Sequence, residues 1–461
     1  MSSITARRNH LAEIRRTLYL ALPVVIGNVT GFGMNFVDTV MAGRLDNEEV
    51  ALAALGTGGA LWSAILMFVL GTLMAVQPSV AQLDGAGEQT RAGLLTRQAF
   101  WIAMVLTVLF WFVLRSGEPL LNLFGVDEKI VPTAVGYLTA LSWGAPAITL
   151  VLVLRFFSEG TGNTRPTMYI GILGVLINVP FNYALMYGKF GFPALGAVGC
   201  GYATSTVFWL QLLLLLAYMG RGQHYKPYKL FQRIERPNWS ELRALLRVGL
   251  PIAVMIFVEG SLFVGAALLI GRLGPVPAAA HLVAINFAAL TFMVPLGIAT
   301  AVTVRVGNAL GRGEPRAARY AGASGLAIVL AFASLSSTIM LVFPHAIVSM
   351  YTDEPAVSSV AVQLLFLAAI FQFSDGIQVG AAGGLRGLKD TMVPMFYAVV
   401  AYWIIGMSVG YQLTFSYELG PRGMWMGMIA GLTVGAIMFG ARFWRSATRL
   451  IALKEASGST A

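Results

Sequence analysis

Charged residues are scarce in this chain of 461 residues, since they make up only 11% of it while 57% is hydrophobic. A soluble protein carries about 25% charged residues, so this composition excludes a fully water-exposed surface. Cysteine occurs once, at Cys200, which excludes an internal disulfide. The four histidines lack the spacing of a metal site, and no P-loop pattern GxxxxGK[ST] occurs. We therefore expect neither a nucleotide-driven motor nor an enzyme, and no bound cofactor.

Long apolar runs are the dominant feature that is present. A membrane helix needs about 20 apolar residues, and twelve stretches reach that length. They lie near residues 17–42, 51–80, 94–115, 131–156, 167–188, 194–220, 242–271, 277–308, 318–343, 357–383, 391–415 and 422–447. The runs are continuous rather than alternating, which favours helices over a β-barrel. The sequence predicts an all-α membrane protein with twelve transmembrane helices.

The net charge of +10 is distributed unevenly between alternate loops. If the N-terminus lies inside, the inner segments hold 25 of the 31 Lys and Arg residues and the outer ones hold six. This asymmetry follows the positive-inside rule and predicts that both termini are cytoplasmic. It explains the basic charge without a nucleic-acid partner. The outer loops carry nine acids, including Asp353 and Glu354, which would attract cations to an outer mouth.

The chain repeats itself at an offset of 226 to 228 residues. Pro23 corresponds to Pro251, the GRL at 43–45 to that at 271–273, and EGTGNT at 159–164 to RGLKDT at 386–391. Each repeat holds six spans, an even number, so the two repeats run parallel, as in some transporters. We predict an N-lobe at 1–220, a cytoplasmic linker at 221–241 and a C-lobe at 242–461.

Three acidic residues fall well inside predicted spans, namely Asp38, Glu259 and Asp375. Insertion scales put a charged acid at a helix centre at about 2.5–3.5 kcal/mol, so such a residue usually has a function. The structural alternative is an acid that is hydrogen-bonded between helices or permanently neutral. A buried carboxyl group can take up a proton near neutral pH, and its ionised form attracts a cation. Substrate and coupling ion would then compete for one group, as an antiporter requires.

Polar residues at helical spacing accompany these acids. Asn28 and Asn35 share a face of the first span with Asp38, and Asn178 and Asn182 share a face of the fifth. Such oxygen donors suit a hard cation, although Asn and small residues also serve close helix packing.

Two further features concern the tenth, first and seventh spans. Phe371 and Gln378 share a face with Asp375 in the tenth span.

Pro23 and Pro251 lack an N–H donor and are expected to bend the first and seventh spans, either as hinges or as passive kinks.

Four stretches together resemble the multidrug and toxic compound extrusion family, in its NorM-like bacterial branch. They are NFVDTVMAGRL at 35–45, NVPFNYAL at 178–185, FVEGSLF at 257–263 and FQFSDGIQVGAAGGLRGLKDT at 371–391. The resemblance covers nearly the whole chain. It implies two six-helix lobes in a V-shaped arrangement, and export of organic cations across a bacterial inner membrane, driven by Na⁺ or H⁺. We expect a monomer whose partners are these small molecules and the lipid bilayer.

The resemblance also implies site residues. Asp38 resembles the first-helix acid of the family, and Asn178, Asn182 and Thr204 resemble its partners in an N-lobe site for Na⁺ or H⁺. Glu259 and Asp375 resemble the C-lobe cation site. Related proteins can have Tyr where this chain has Phe371, so a hydroxyl ligand is missing there. Asn35, Phe371, Gln378, Asp353 and Glu354 are candidate cavity residues.

Three other functions compete with ion-coupled drug export. A lipid-linked oligosaccharide flippase of the same superfamily is the closest, but the mid-membrane charges are acidic and an anionic lipid carrier favours basic groups. An intramembrane aspartyl protease is disfavoured, since no GxGD motif occurs. A passive channel stays open and differs in showing no obligatory exchange.

Overall fold

Helices dominate the chain, which a computed structural model describes for residues 2–45, 48–233 and 235–458. No strand occurs in these ranges. They contain eleven helices able to cross a membrane, or twelve spans if one bent pair counts as one. In chain order the spans are Ala12–Ala42, Glu49–Gly85, Gln89–Arg115, Val131–Ser142 with Ala145–Gly160, Arg165–Tyr187, Ala197–Arg221, Trp239–Gly271, Pro275–Gly311, Pro315–Val342, Pro355–Gly387, Met392–Ser416 and Pro421–Ser457. Each coincides with one predicted stretch, so the predicted fold class is confirmed.

Several spans are less regular than the sequence indicated. The second consists of two helices, Glu48–Leu73 and Val76–Gly85. The eleventh contains two π-helical stretches, Val399–Met407 and Gln412–Ser416. Short helices outside the spans are Gly117–Leu123, the 3₁₀ turn Gln223–Tyr228, and Pro344–Ser349.

The fourth span is bent by 49°, where the sequence predicted one continuous stretch. The break falls at Gly144, which precedes Pro146, a residue without an N–H to continue the helix. The sixth span satisfies carbonyl groups near the break, because Ser205 Oγ donates to Ala140 O at 2.7 Å and Trp209 Nε1 donates to Trp143 O at 2.9 Å. The bend is therefore held by side chains of a neighbouring helix.

The described residues divide into two compact units. The N-terminal unit comprises Ile26–Val80 and Glu88–Ala253; the C-terminal unit comprises the residues up to Val25, Ala81–Gly87 and those from Val254 onward. This division differs from lobes at 1–220 and 242–461, since the start of the first helix groups with the C-terminal half. The reason lies in polar contacts within that unit. Arg305 donates to Glu13 and Thr17, and Gln82 Nε2 donates to Gly387 O at 2.8 Å.

The predicted linker at 221–241 belongs to the N-terminal unit and is docked on the third span. Arg97 donates to Lys229 O at 2.7 Å and to the Glu235 carboxylate at 3.1 Å. Trp101 Nε1 donates to Glu235 O at 2.9 Å, and Gln98 Nε2 donates to Arg236 O at 2.9 Å. These bonds satisfy backbone carbonyls of a segment without regular structure.

Candidate functional site

Glycine contacts bring the first and fifth spans together in the part of the first span that precedes Asp38. A Cβ on Gly171 would lie 3.0 Å from the Gly27 Cα and 2.5 Å from Thr30 Oγ1, and a Cβ on Gly27 would meet Thr167 at 2.9 Å. Membrane helices approach this closely only through small residues. The polar face of the first span is thereby held against the asparagines of the fifth.

Asp38 lies at the centre of the predicted N-lobe cluster, with 6% of the residue exposed. Asn182 Nδ2 donates to Asp38 Oδ1 at 2.5 Å and to Asn178 Oδ1 at 3.0 Å. Thr204 Oγ1 donates to Asp38 Oδ2 at 3.4 Å. All four residues named from the sequence therefore meet at one place. The thiol of Cys200 also lies within hydrogen-bonding reach of Asp38, which sequence reasoning did not indicate.

Unsatisfied polar atoms remain in this cluster. Asn178 Nδ2 and Asn182 Oδ1 are buried and have no hydrogen-bond partner within the described chain. The cluster also presents two carboxylate oxygens, the Asn178 amide oxygen and the Thr204 hydroxyl. This all-oxygen donor set with one negative charge fits a hard monovalent cation or a proton. No grouping of three His, Cys, Asp or Glu residues that could hold a metal occurs among the described residues.

Asp38 forms part of the wall of a cavity of about 470 Å³ within the N-terminal unit. Asn35 and Thr204 also line it, as predicted for Asn35. Most of the remaining wall is apolar or aromatic, including Trp62 and Phe208, whose rings stack with centroids 6.0 Å apart. A cavity of this size and polarity suits a drug-sized molecule with one polar group.

A second charged group lines the same cavity and was missed from the sequence. Arg155 contributes to the wall and donates through Nε to Glu159 Oε1 at 2.8 Å and through Nη2 to Asn28 Oδ1 at 3.0 Å. Glu159 is fully buried and also accepts from Gln77 at 2.7 Å and Thr167 at 2.8 Å. Glu159 lies outside the predicted fourth span of 131–156, and in the structure it is in the last turn of the helix that ends at Gly160. The charged groups of this cavity are therefore not all acidic.

The C-terminal unit brings Glu259 and Asp375 close enough to interact electrostatically. Glu259 is half-buried, whereas Asp375 is 4% exposed and its Oδ1 has no partner within the described chain. Gln378 lies within hydrogen-bonding reach of Glu259, and the charge of Arg386 also acts on Glu259. Arg386 was not identified from the sequence, because it lies three residues after the predicted end of the tenth span at residue 383, whereas the helix continues to Gly387.

A hydroxyl group is present in this second cluster although Phe371 lacks one. Gln378 Nε2 donates to the Tyr402 hydroxyl at 2.5 Å, and Tyr402 is fully buried. Phe371 itself packs edge-on against Phe263 and Trp425, with centroids 6.0 and 5.6 Å away. Phe371 is therefore part of an aromatic core, and the hydroxyl group of this cluster is supplied by Tyr402.

The remaining predicted residues lie elsewhere. Asp353 and Glu354 are exposed in the segment before the tenth span and are absent from the cavity wall. Pro23 and Pro251 lie inside helices that continue on both sides. The change from one compact unit to the other falls two residues after each proline, at Val25 and at Ala253.

Comparison with known proteins agrees with this architecture. The MatE family model matches residues 23–184 and again residues 251–412, which confirms the internal repeat and its offset. The chain is 47% identical over 441 residues to the probable multidrug resistance protein NorM of Xanthomonas axonopodis pv. citri (strain 306), covering 96% of each chain. It is 43% identical over 453 residues to the multidrug resistance protein PmpM of Pseudomonas aeruginosa, covering 96% of this chain and 94% of PmpM.

Solved structures share the fold at low sequence identity. The eukaryotic MATE transporter AtDTX14 superimposes with a TM-score of 0.84 at 21% identity, over 96% of this chain and 98% of the other. An outward-facing multidrug resistance MATE family transporter of the MOP superfamily gives a TM-score of 0.87 at 20% identity, over 95% and 97%. With two matches to the family model and close relatives over almost its full length, the chain belongs to the MatE family of multidrug transporters, in its NorM-like bacterial branch.

Proposed function

We propose that this multidrug transporter is a secondary active antiporter that exports organic cations in exchange for inward Na⁺ or H⁺. One observation carries the proposal: a single carboxylate, Asp38, stands in the wall of a largely apolar cavity. An apolar wall accepts chemically diverse molecules, and the carboxylate selects those with positive charge. Asp38 has no ion-pair partner within the described chain, so a cationic substrate or a coupling ion can neutralise it.

Exchange follows from competition for that carboxylate. A proton or Na⁺ arriving from outside neutralises Asp38 and weakens its attraction for a bound cation, which then leaves. Return to the inward-facing state carries the ion across, and a new substrate displaces it. Alternating access in this form needs a helix that changes shape, and Pro23 is the candidate hinge in the helix that carries Asp38. The position of Pro23 two residues before a unit boundary supports this role.

Glu259 and Asp375 are proposed as the second coupling site. Their proximity and the unpaired Asp375 Oδ1 support ion uptake there, and Pro251 is the candidate hinge of the helix that carries Glu259. The Arg386 charge already offsets one of the two acids, which leaves about one negative charge for a single monovalent ion.

The transport of an anionic lipid carrier is the second candidate function, and Arg155 is the observation that favours it. Its guanidinium lines the cavity, as an anion would require. However, Arg155 is neutralised by Glu159 at 2.8 Å, so Asp38 determines the net charge of the cavity. We therefore favour cations, and we propose a bacterial inner-membrane location with both termini in the cytoplasm.

The decisive experiment uses purified protein in proteoliposomes, with Na⁺ and H⁺ gradients imposed separately and a fluorescent organic cation as substrate. Asp38→Asn should lower the rate of gradient-driven export more than tenfold while the protein still folds. Asp127→Asn, which changes an exposed loop acid, is the matched control and should export normally. Dye binding to the wild type should weaken as the pH falls, since protons compete for Asp38, and binding to Asp38→Asn should depend less on pH. Normal export by Asp38→Asn with an unchanged pH dependence would refute the proposal.

A further inference from the structure

A pocket of about 390 Å³ opens on the C-terminal unit between the eleventh and twelfth spans. Its polar part consists of Arg442, Arg445, Arg449 and Ser446, together with Tyr397. The three arginines follow one another at spacings of three and four, which places them on one face of the last helix.

The charge of this pocket is only partly compensated. Arg442 donates through Nη2 to Asp390 Oδ1 at 2.9 Å, and Ser446 donates to Asp390 Oδ2 at 3.2 Å. Arg445 and Arg449 are exposed and have no ion-pair partner within the described chain. Two positive charges therefore remain beside an arginine that is already fixed in position.

The pocket also has an apolar part along the same helix. Ile437, which is 64% exposed, precedes Arg442 by five residues and lines the pocket. The surface of the last span thus changes from apolar to basic within about two helical turns. A helix surface changes in this way where the hydrocarbon region of a bilayer meets the headgroups.

We infer that this pocket binds the headgroup of an anionic phospholipid, whose acyl chain lies along Ile437. Arg445 and Arg449 contact the phosphate, and Arg442, held by Asp390, forms the inner side of the pocket. Basic pockets between transmembrane helices on the cytoplasmic side are typical of such lipid sites. Two uncompensated arginines match the two phosphates of cardiolipin better than the single phosphate of phosphatidylglycerol. A soluble phosphate would make no use of the exposed apolar side chain.

The test must separate a specific site from general attraction of basic residues to anionic lipid. The chain offers a matched control in Arg243 and Arg247, two exposed arginines spaced four apart in another spanning helix. They lie on the same predicted side of the membrane as Arg445 and Arg449 but line none of the pockets described above. The two double variants Arg445→Gln/Arg449→Gln and Arg243→Gln/Arg247→Gln therefore remove the same charge.

The measurement is native mass spectrometry of the delipidated full-length protein, titrated with cardiolipin, phosphatidylglycerol or phosphatidylethanolamine. Wild type should retain cardiolipin most tightly and phosphatidylethanolamine least. Each arginine near anionic headgroups is worth about fivefold in affinity, so Arg445→Gln/Arg449→Gln should weaken cardiolipin binding about 25-fold. Arg243→Gln/Arg247→Gln should leave it within about twofold. The charge-conserving Arg445→Lys/Arg449→Lys should retain most of the binding.

Four outcomes would overturn the inference. Equal losses of cardiolipin affinity in the two double glutamine variants would mean that basic residues attract anionic lipid without a specific site. Equal retention of all three lipids by the wild type would mean that the headgroup is not recognised. If Arg445→Lys/Arg449→Lys loses as much cardiolipin affinity as Arg445→Gln/Arg449→Gln, attraction by charge would be contradicted. Displacement of the lipid by soluble glycerol phosphate at a similar concentration would identify a free-anion site instead. Unchanged thermal stability of each variant shows that binding, rather than folding, is being compared.

Discussion

The buried pair of Arg155 and Glu159 allows a stability prediction to be worked out from the structure. Glu159 accepts three hydrogen bonds, from Arg155 at 2.8 Å, Gln77 at 2.7 Å and Thr167 at 2.8 Å. Its side chain is 1% exposed, while that of Arg155 is 23% exposed. Glu159→Gln removes the charge and aims an amide donor at a site that is surrounded by donors.

Removal of one partner from a buried ion pair typically costs about 3–5 kcal/mol, because the other charge is left uncompensated. Arg155 reaches the cavity and can be hydrated there, which reduces the loss. We therefore expect Glu159→Gln to lower the free energy of unfolding by about 3 kcal/mol. The control is Glu455→Gln, which removes the partner of Arg316 in a pair whose side chains are 55% and 71% exposed. Exposed pairs contribute roughly 0–1 kcal/mol.

The assay is reversible unfolding in mixed micelles, followed by tryptophan fluorescence. A third variant, Arg155→Met/Glu159→Met, removes both charges. It separates the loss of the ion-pair attraction from the cost of leaving the Arg155 charge uncompensated. Replacement of both members of a buried pair by apolar residues is often close to neutral, so the double variant should be more stable than Glu159→Gln. If Glu159→Gln is as mild as Glu455→Gln, or if the double variant is the least stable of the three, the argument from the uncompensated Arg155 charge is refuted.

Three further predictions can be checked independently. Asp375→Asn should impair ion-coupled export with little loss of stability, since it removes a buried acid on which no cationic group acts, whereas Glu259→Gln should impair export and also lower stability, since it leaves the buried Arg386 uncompensated; drug resistance at equal expression measures the effect on export, and normal resistance in both would make these acids structural. Both termini should be cytoplasmic, so a C-terminal fluorescent protein should be fluorescent and a C-terminal alkaline phosphatase inactive, and the reverse pattern would reject the topology. The Arg233 and Arg97 guanidinium groups lower the pKa of Glu235. The ionised Glu235 carboxylate therefore stabilises the docked linker at pH values above the ordinary pKa of Glu, and this stabilisation is lost as the pH falls through the lowered pKa. Below that lowered pKa, amide hydrogen exchange of residues 229–238 should become faster in the wild type. Glu235→Gln should remove the pH dependence of this exchange.

The spans were predictable because each needs about 20 apolar residues, and this chain interrupts them with polar loops. Local irregularities were not. The 49° bend in the fourth span depends on Ser205 and Trp209, which come from the sixth span and satisfy carbonyls near the break. Hydropathy along a single segment carries no information about such partners.

The candidate sites were predictable where an acid stands alone in an apolar run, as Asp38, Glu259 and Asp375 do. Charges near a span end were not recognised as site residues. Glu159 and Arg386 both precede a glycine and a turn, which gives them the appearance of loop residues. The structure buries both, because the helices continue to Gly160 and Gly387. A buried helix can therefore continue for several residues beyond the end of its hydrophobic run.

The two repeats share a scaffold but not a charge pattern. Prolines occupy equivalent positions at 23 and 251, whereas at the same offset of 228 residues Asp38 corresponds to Ala266 and Glu259 to Gly31.

Even the equivalent charged residues have opposite signs, since Glu159 corresponds to Arg386 in the repeated motif. Glu159 compensates Arg155 within the N-terminal unit, whereas Arg386 acts on Glu259 within the C-terminal unit. The N-terminal cavity therefore keeps one acid, Asp38, without a basic partner, whereas the C-terminal cluster combines two acids with one arginine. If both clusters couple ions as proposed, this difference in chemistry means that neither can replace the other, and loss of Asp38 should not be rescued by intact Glu259 and Asp375.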